Sequence, residues 1–221
     1  EGIIFLKRNS LLYKFLEKIE GTFYKNANGI VTVTESFKSD IIKRFKISNC
    51  KVKVIYNGSN NSFFENTDTN TKIISNLNLE EKFIIGYAGT LGISHSLDFI
   101  LECLDEIYEL NPNIHFIFVG DGALKNIMHD IIKSKKLKNV NLIDKVEREK
   151  IKQYISIFDF GLVPLKKNDA YKKVIPSKIY ELAAMNIPVI LGVEGESKDI
   201  ISKNNAGISF VPENKESFIK A

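Results

Sequence analysis

Apolar residues recur at helical spacing near the start of the chain. Leu11, Leu12, Phe15, Leu16, Ile19 and Phe23 share one face of a helix over 11–26. The apolar run 30–34 predicts a strand, after which Thr34 or Ser36 is placed to cap a helix running to about Phe45. Residues 52–56 predict a further strand, stopped by Asn57-Gly58. The character then changes: residues 59–75 are rich in Asn, Ser and Thr with few large apolar side chains, the composition of an interdomain linker. Beyond it the rhythm is regular. Strands are predicted at 83–88, 115–119, 140–143, 159–163, 188–191 and 207–211, and helices at 96–110, 123–135, 147–157, 177–185 and 196–204. The strand segments are continuously apolar, as strands covered on both faces must be. Strands alternating with helices predict an α/β fold with a doubly wound, Rossmann-like parallel sheet.

In such a sheet, ligands sit beyond the carboxyl ends of the strands, so the turns that follow them are where chemistry is sought. Gly89-Thr90-Leu91-Gly92 follows the first strand. Glycines there let a phosphate approach the backbone, or simply make a tight strand-to-helix turn. Gly120-Asp121-Gly122 resembles the start of a dinucleotide fingerprint but has Lys125 where the third glycine belongs, which favours a plain turn. The most informative stretch runs from Ile175 to Ile190. Pro176 opens a helix, Ser177 is placed to cap it, Lys178 adds a cation and Glu181 lies one turn on. Glu181 is either a carboxylate for a vicinal diol or a solvated helix residue. His95 follows the first glycine turn within reach of a ligand. His115, inside an apolar strand, reads as structural, and His129 has no partner in the pattern. No Ser/His/Asp order and no spaced carboxylate pair is present.

Composition narrows the class. The chain has 221 residues, 44% hydrophobic and 26% charged, which suits a globular protein of one large α/β domain, alone or with part of another. The net charge of +4 comes from lysines interleaved with acids. It describes a solvated surface, not a nucleic-acid stripe. The densest basic run, Lys133, Lys135, Lys136 and Lys138, falls where a helix should end and its dipole favours cations. Two isolated cysteines, Cys50 and Cys103, have no metal-ligand spacing and suggest a reducing compartment. No apolar run reaches transmembrane length. The chain opens on Glu1 and closes on what looks like the first turn of a helix, so it is expected to be a piece of a longer protein.

The motifs together resemble the retaining GT-B glycosyltransferases of group 1, or family 4, in the branch that builds bacterial surface polysaccharides. The likeness covers nearly the whole chain and rests on segments that arrive in the family's order: 31–38, 54–58, 87–92, 119–122, 159–164 and 176–181. It implies a GT-B donor domain at 76–221, expected to be truncated at its C-terminal end. Residues 1–58 would be the last part of the N-terminal, acceptor-side domain, joined by the linker at 59–75.

The resemblance also implies a reaction: transfer of a sugar from a nucleotide-diphosphate donor with retention, without a metal or other cofactor. Gly89, Thr90, Gly92, Ser177 and Lys178 would face the diphosphate, and Glu181 the ribose. Ile143, Lys145 and Val146 would face the base. Lys172, Lys173 and Pro176 would lie near the donor sugar. No residue is assigned a catalytic role. The implied partners are a UDP- or GDP-sugar and a lipid-linked or saccharide acceptor reached through the missing N-terminal region, with peripheral membrane contact from the cytoplasmic side and no nucleic acid. A fragment of this kind is expected to be inactive alone. Two departures stand out. A second glutamate common in relatives is replaced by Lys173, and an arginine and a lysine common in the first glycine loop are replaced by Thr90 and, approximately, Ser96. The balancing charge would then shift to Lys178, or to Lys172 or Lys173. Alternatives are a nucleotide-sugar 2-epimerase on the same fold and a non-catalytic nucleotide-binding domain. A nicotinamide oxidoreductase lacks its complete fingerprint.

Overall fold

The computed structural model describes residues 10–65 and 68–221. The chain divides into two compact units between Asn57 and Gly58. In the first, helix α1 (Leu11–Asn26) starts at Ser10, whose hydroxyl accepts from the Tyr13 N–H at 3.1 Å. Strands β1 (Ile30–Thr32) and β2 (Val52–Val54) pair in parallel on either side of helix α2 (Glu35–Phe45). Thr34, not Ser36, caps α2, accepting from the Phe37 N–H at 3.0 Å. Ile30, Ile41, Phe45, Ile47 and Val52 form the core of this unit. Strand β2 is shorter than predicted. The Ile55 N–H still donates to Thr32 O at 2.9 Å, but Ile55 and Tyr56 then turn out to solvent. Cys50 is exposed before β2.

In the second unit, Asn61–Phe64 forms a short 3-10 turn that buries Phe63 in the main core. Helix α3 (Thr71–Asn76) follows, capped by Asn70. Six parallel strands make the sheet: β3 (Phe83–Ala88), β4 (Ile114–Val119), β5 (Val140–Ile143), β6 (Phe160–Pro164), β7 (Val189–Gly192) and β8 (Gly207–Ser209). Their order is β5-β4-β3-β6-β7-β8. It runs outward one way from β3 and the other way from β6, so the direction of winding reverses between these neighbours.

The pleat sends alternate side chains to opposite faces. Ile84, Ile117, Val163 and Leu191 meet helices α7 (Ile151–Ile155), α8 (Lys178–Ala184) and α9 (Glu196–Lys203). Ile85, Tyr87, Phe116, Phe118 and Ile190 meet α4 (Leu97–Glu102), α5 (Leu104–Leu110), α6 (Lys125–Lys135) and α10 (Lys215–Lys220). This is the two-sided burial that the continuous apolar runs require.

In this unit two predicted helices and one predicted cap form differently. The single helix predicted over 96–110 is broken at Cys103, where the N–H donates to Ile100 O at 3.0 Å in a tightened turn. The Cys103 thiol is buried there and donates to Phe99 O. The helix predicted over 147–157 shrinks to α7, because Glu147–Lys150 offers nothing apolar to bury and forms an exposed turn. Ser177 occupies the N-cap position of α8 without capping it. Its own backbone is helical (φ −59°, ψ −26°), unlike the extended conformation from which a cap side chain reaches back.

Candidate functional site

A cleft of about 950 Å³ opens at the carboxyl ends of β3, β4 and β5, on the β3 side of the point where the strand order reverses. It is lined by Ala88, Gly89 and Thr90 after β3, by Val119 to Gly122 after β4, and by Lys145, Val146 and Arg148 after β5. Phe63, Ile151 and Glu181 complete it.

Two glycine turns form its floor, and they are clamped together. The Gly89 N–H donates to Val119 O, the Leu91 N–H to Asp121 O and the Leu124 N–H to Leu91 O, each at 2.9 Å. The Gly120 N–H donates to Ile143 O at 3.0 Å. The approach is so close that a Cβ on Gly120 would overlap the Gly89 carbonyl oxygen, and one on Gly122 would stand 2.5 Å from Leu91 O. Both have positive φ, +156° and +157°. The Gly120-Asp121-Gly122 turn is therefore a turn, as the pattern favoured, and also a wall of the cleft.

Below the first turn lies a concentrated electrostatic feature. Lys178, on the first residue of α8, places its Nζ 4.8 Å from the centroid of the Tyr87 ring and hard against Gly89. Among the described residues it has no hydrogen bond or ion pair, and burial holds its pKa below the ordinary lysine value. Glu181 opposes that shift through space. Burial raises the Glu181 carboxyl in turn, offset by the charges of Lys178 and then Arg148. Tyr87 is buried, its hydroxyl donating to Thr90 O at 2.6 Å, and its ring makes a T-shaped contact with His95, centroids 5.7 Å apart. Burial, then the Lys178 charge, hold His95 down at about 4, so it is neutral at ordinary pH.

The structure brings Gly89, Thr90, Lys145, Val146 and Glu181 to the cleft. Lys178 lies beside Ala88 and Glu181 around a smaller adjoining cavity. Gly92, Ile143, Pro176, Ser177, Lys172 and Lys173 do not line the cleft. Ile143 contributes its carbonyl to the floor instead. Lys172 turns to Asp169 at 3.0 Å and Glu194 at 3.4 Å. His115 is buried, with its Nε2 2.7 Å from Asn141 Oδ1, a structural role as its apolar strand implied.

Phe63, Arg148 and Ile151 line the cleft but carried no site signal in the sequence, and Asp121 carried only that of the partial fingerprint around it. The strand order is what gathers them, and a linear pattern does not contain it. Lys125 braces two walls, pairing with Asp144 at 2.7 Å and Asp121 at 3.8 Å. Among the described residues no cluster of His, Cys, Asp and Glu is placed to hold a metal, and no helix is long and apolar enough to cross a membrane.

Residues 68–221 match the family model described as Glycosyl transferases group 1, and residues 3–62 match Glycosyltransferase Family 4. Curated relatives include TuaH of Bacillus subtilis (strain 168), named for teichuronic acid biosynthesis, at 24% identity over 83% of this chain and 46% of its own length. The uncharacterized glycosyltransferase MJ1607 of Methanocaldococcus jannaschii is 26% identical over 85% of this chain and 48% of its own. The chain thus spans about half the length of the curated relatives it matches. Similar solved structures include Anabaena Alr3699/HepE in complex with UDP-glucose (TM-score 0.77, 15% identity, 94% of this chain and 56% of that one). WaaG, a glycosyltransferase involved in lipopolysaccharide biosynthesis, superposes with TM-score 0.75 at 15% identity over 100% of this chain and 59% of its own. These likenesses establish a shared GT-B fold.

Proposed function

Since the chain belongs to the group 1 glycosyl transferases, we propose that its cleft holds the nucleoside diphosphate of a sugar donor, and that the whole protein transfers that sugar with retention. One observation carries the reading: an unpaired, half-buried ammonium at Lys178, pressed against a glycine turn at the strand-order reversal. Burying a cation without a counter-charge is unfavourable, and a bound diphosphate would relieve it. In this reading Gly89, Thr90, Gly92, Ser177 and Lys178 serve the diphosphate and Glu181 the ribose hydroxyls. The turn from Ile143 through Lys145 and Val146 serves the base. Lys172, Lys173 and Pro176 belong to the region of the donor sugar, with Lys172 engaged by its own acids.

As the bond from the anomeric carbon to the β-phosphate oxygen breaks, negative charge collects on the departing diphosphate. A cation already in place stabilises that charge more than the ground state. Residues 1–58 are read as the end of the acceptor-side domain, 59–75 as the connection and 76–221 as the donor domain. The acceptor is read as a surface polysaccharide or its lipid-linked precursor at the cytoplasmic face of a membrane; the naming of TuaH for teichuronic acid biosynthesis supports the polysaccharide class.

Thermal-shift measurements with UDP, GDP and NAD test the reading. Stabilisation by UDP or GDP is expected, and stabilisation by NAD alone would overturn it. Lys178→Ala should weaken diphosphate binding by about ten- to a hundredfold in calorimetry, the range for a lost charge-assisted hydrogen bond. Unchanged affinity would remove Lys178 from the site.

A further inference from the structure

Lys178 has an unusual neighbour. Its ammonium lies over the face of Tyr87, whose negative quadrupole attracts a cation without neutralising it. A carboxylate in that place would pair with the ammonium and compete with any incoming phosphate. The same Tyr87 acts at its other end on the glycine turn that the ammonium touches, since its hydroxyl donates to Thr90 O at 2.6 Å. The charged groups around this contact are few. Glu181 acts on Lys178 from its own helix, Arg148 acts on Glu181 from the turn after β5, and His95 makes a T-shaped contact with Tyr87 as a neutral imidazole.

We propose that Tyr87 is a positioning residue of the diphosphate site: its ring holds the Lys178 ammonium charged but unpaired, while its hydroxyl fixes the carbonyl of the turn against which the ammonium rests. The proposal rests on the reading that the cleft takes a nucleoside diphosphate. The ring keeps the cation available, and the hydroxyl sets the loop that frames it. Without the ring, burial acts on the ammonium unopposed except by Glu181. More of the lysine is then neutral in the empty site, and diphosphate binding must draw in a proton.

The test measures affinity and proton uptake by calorimetry at pH 8–9, in buffers of different ionisation enthalpy, for UDP against UMP and GDP against GMP. It uses the full chain, with circular dichroism checking the fold of each variant. Tyr87→Leu should lose about three- to thirtyfold in diphosphate affinity, leave monophosphate affinity within twofold, and take up more protons on binding than the native protein. Tyr87→Phe keeps the ring. It should lose about two- to tenfold in affinity with proton uptake unchanged. In a Lys178→Ala background, Tyr87→Leu should add no further loss of preference for the diphosphate.

Native proton uptake in Tyr87→Leu, or the same loss with Lys178 absent, would overturn the proposal. If Tyr87→Leu does not fold, native affinity in Tyr87→Phe decides against it. A native protein that prefers neither diphosphate over its monophosphate refutes the nucleoside-diphosphate reading itself, an outcome distinct from these.

Discussion

Replacing Gly122 with alanine tests how the cleft floor is built. The new Cβ would stand 2.5 Å from Leu91 O, 2.7 Å from Leu91 C and 2.9 Å from Leu91 N, all backbone atoms. Real Cβ contacts essentially never fall below 3.0 Å, so one turn must retreat from the other by about half an ångström or more. That movement strains the hydrogen bonds from Leu91 N–H to Asp121 O and from Leu124 N–H to Leu91 O, each worth about 0.5–1.5 kcal/mol net. A side chain at φ +157° adds about 1–3 kcal/mol of backbone strain. Together the loss is roughly 2–6 kcal/mol, a large part of the stability of an ordinary domain. Urea unfolding followed by circular dichroism measures it. Gly58→Ala is the comparator, because a Cβ there meets nothing within 4 Å. If Gly122→Ala loses less than about 1 kcal/mol and matches the comparator, the two turns are not clamped as described.

Acid should destabilise the protein through His95. The unfolded chain protonates this imidazole near 6.5 and the folded one near 4, so the unfolded state binds more protons between those values. The contribution is therefore full above about pH 6.5 and is lost as the pH falls towards 4. Discounted for partial exposure, it amounts to about 1–2 kcal/mol. His95→Gln should flatten the pH dependence of the unfolding midpoint over that window, and an unchanged slope would contradict the assignment. Glu181→Ala should weaken UDP and uridine alike while leaving inorganic pyrophosphate unaffected, as read by competition binding. Equal loss for pyrophosphate would place Glu181 elsewhere than on the ribose. Phe63→Ala should destabilise the second unit by about 3–5 kcal/mol in denaturant melts, as a buried aromatic does. A change under 1 kcal/mol would mean that Phe63 is not an anchor.

Much of the fold was legible because burial on both faces leaves a plain mark. Runs such as 83–88 and 115–119, short and apolar throughout between helical patterns, read as sheet-core strands, and they lie in β3 and β4. Helix ends were less legible. The apolar spacing of 96–110 continues through Cys103 although the backbone breaks there, because periodicity records which side chains are buried and not how each turn closes. Phe63 was hidden by its polar neighbours, since one anchoring ring does not change a local average. At the site, glycine turns and the Lys178–Glu181 spacing could be read directly. The partnership of Tyr87 with Lys178 and Thr90 could not, because it depends on β3 lying next to β6 and carrying α8 to its edge. Arg148 was missed for a related reason: nothing in an exposed charged turn marks which charge faces a cleft.

The two cysteines differ in a way that makes the protein its own reporter. Cys103 is buried, hydrogen-bonded and raised by burial to about 11, so its thiolate is scarce at neutral pH. Cys50 is exposed and lies in the first unit. A maleimide dye should therefore label Cys50 alone, with no substitution needed. With a fluorescent nucleotide in the cleft, the occupant proposed for it, energy transfer from that dye would follow the distance between the units in solution.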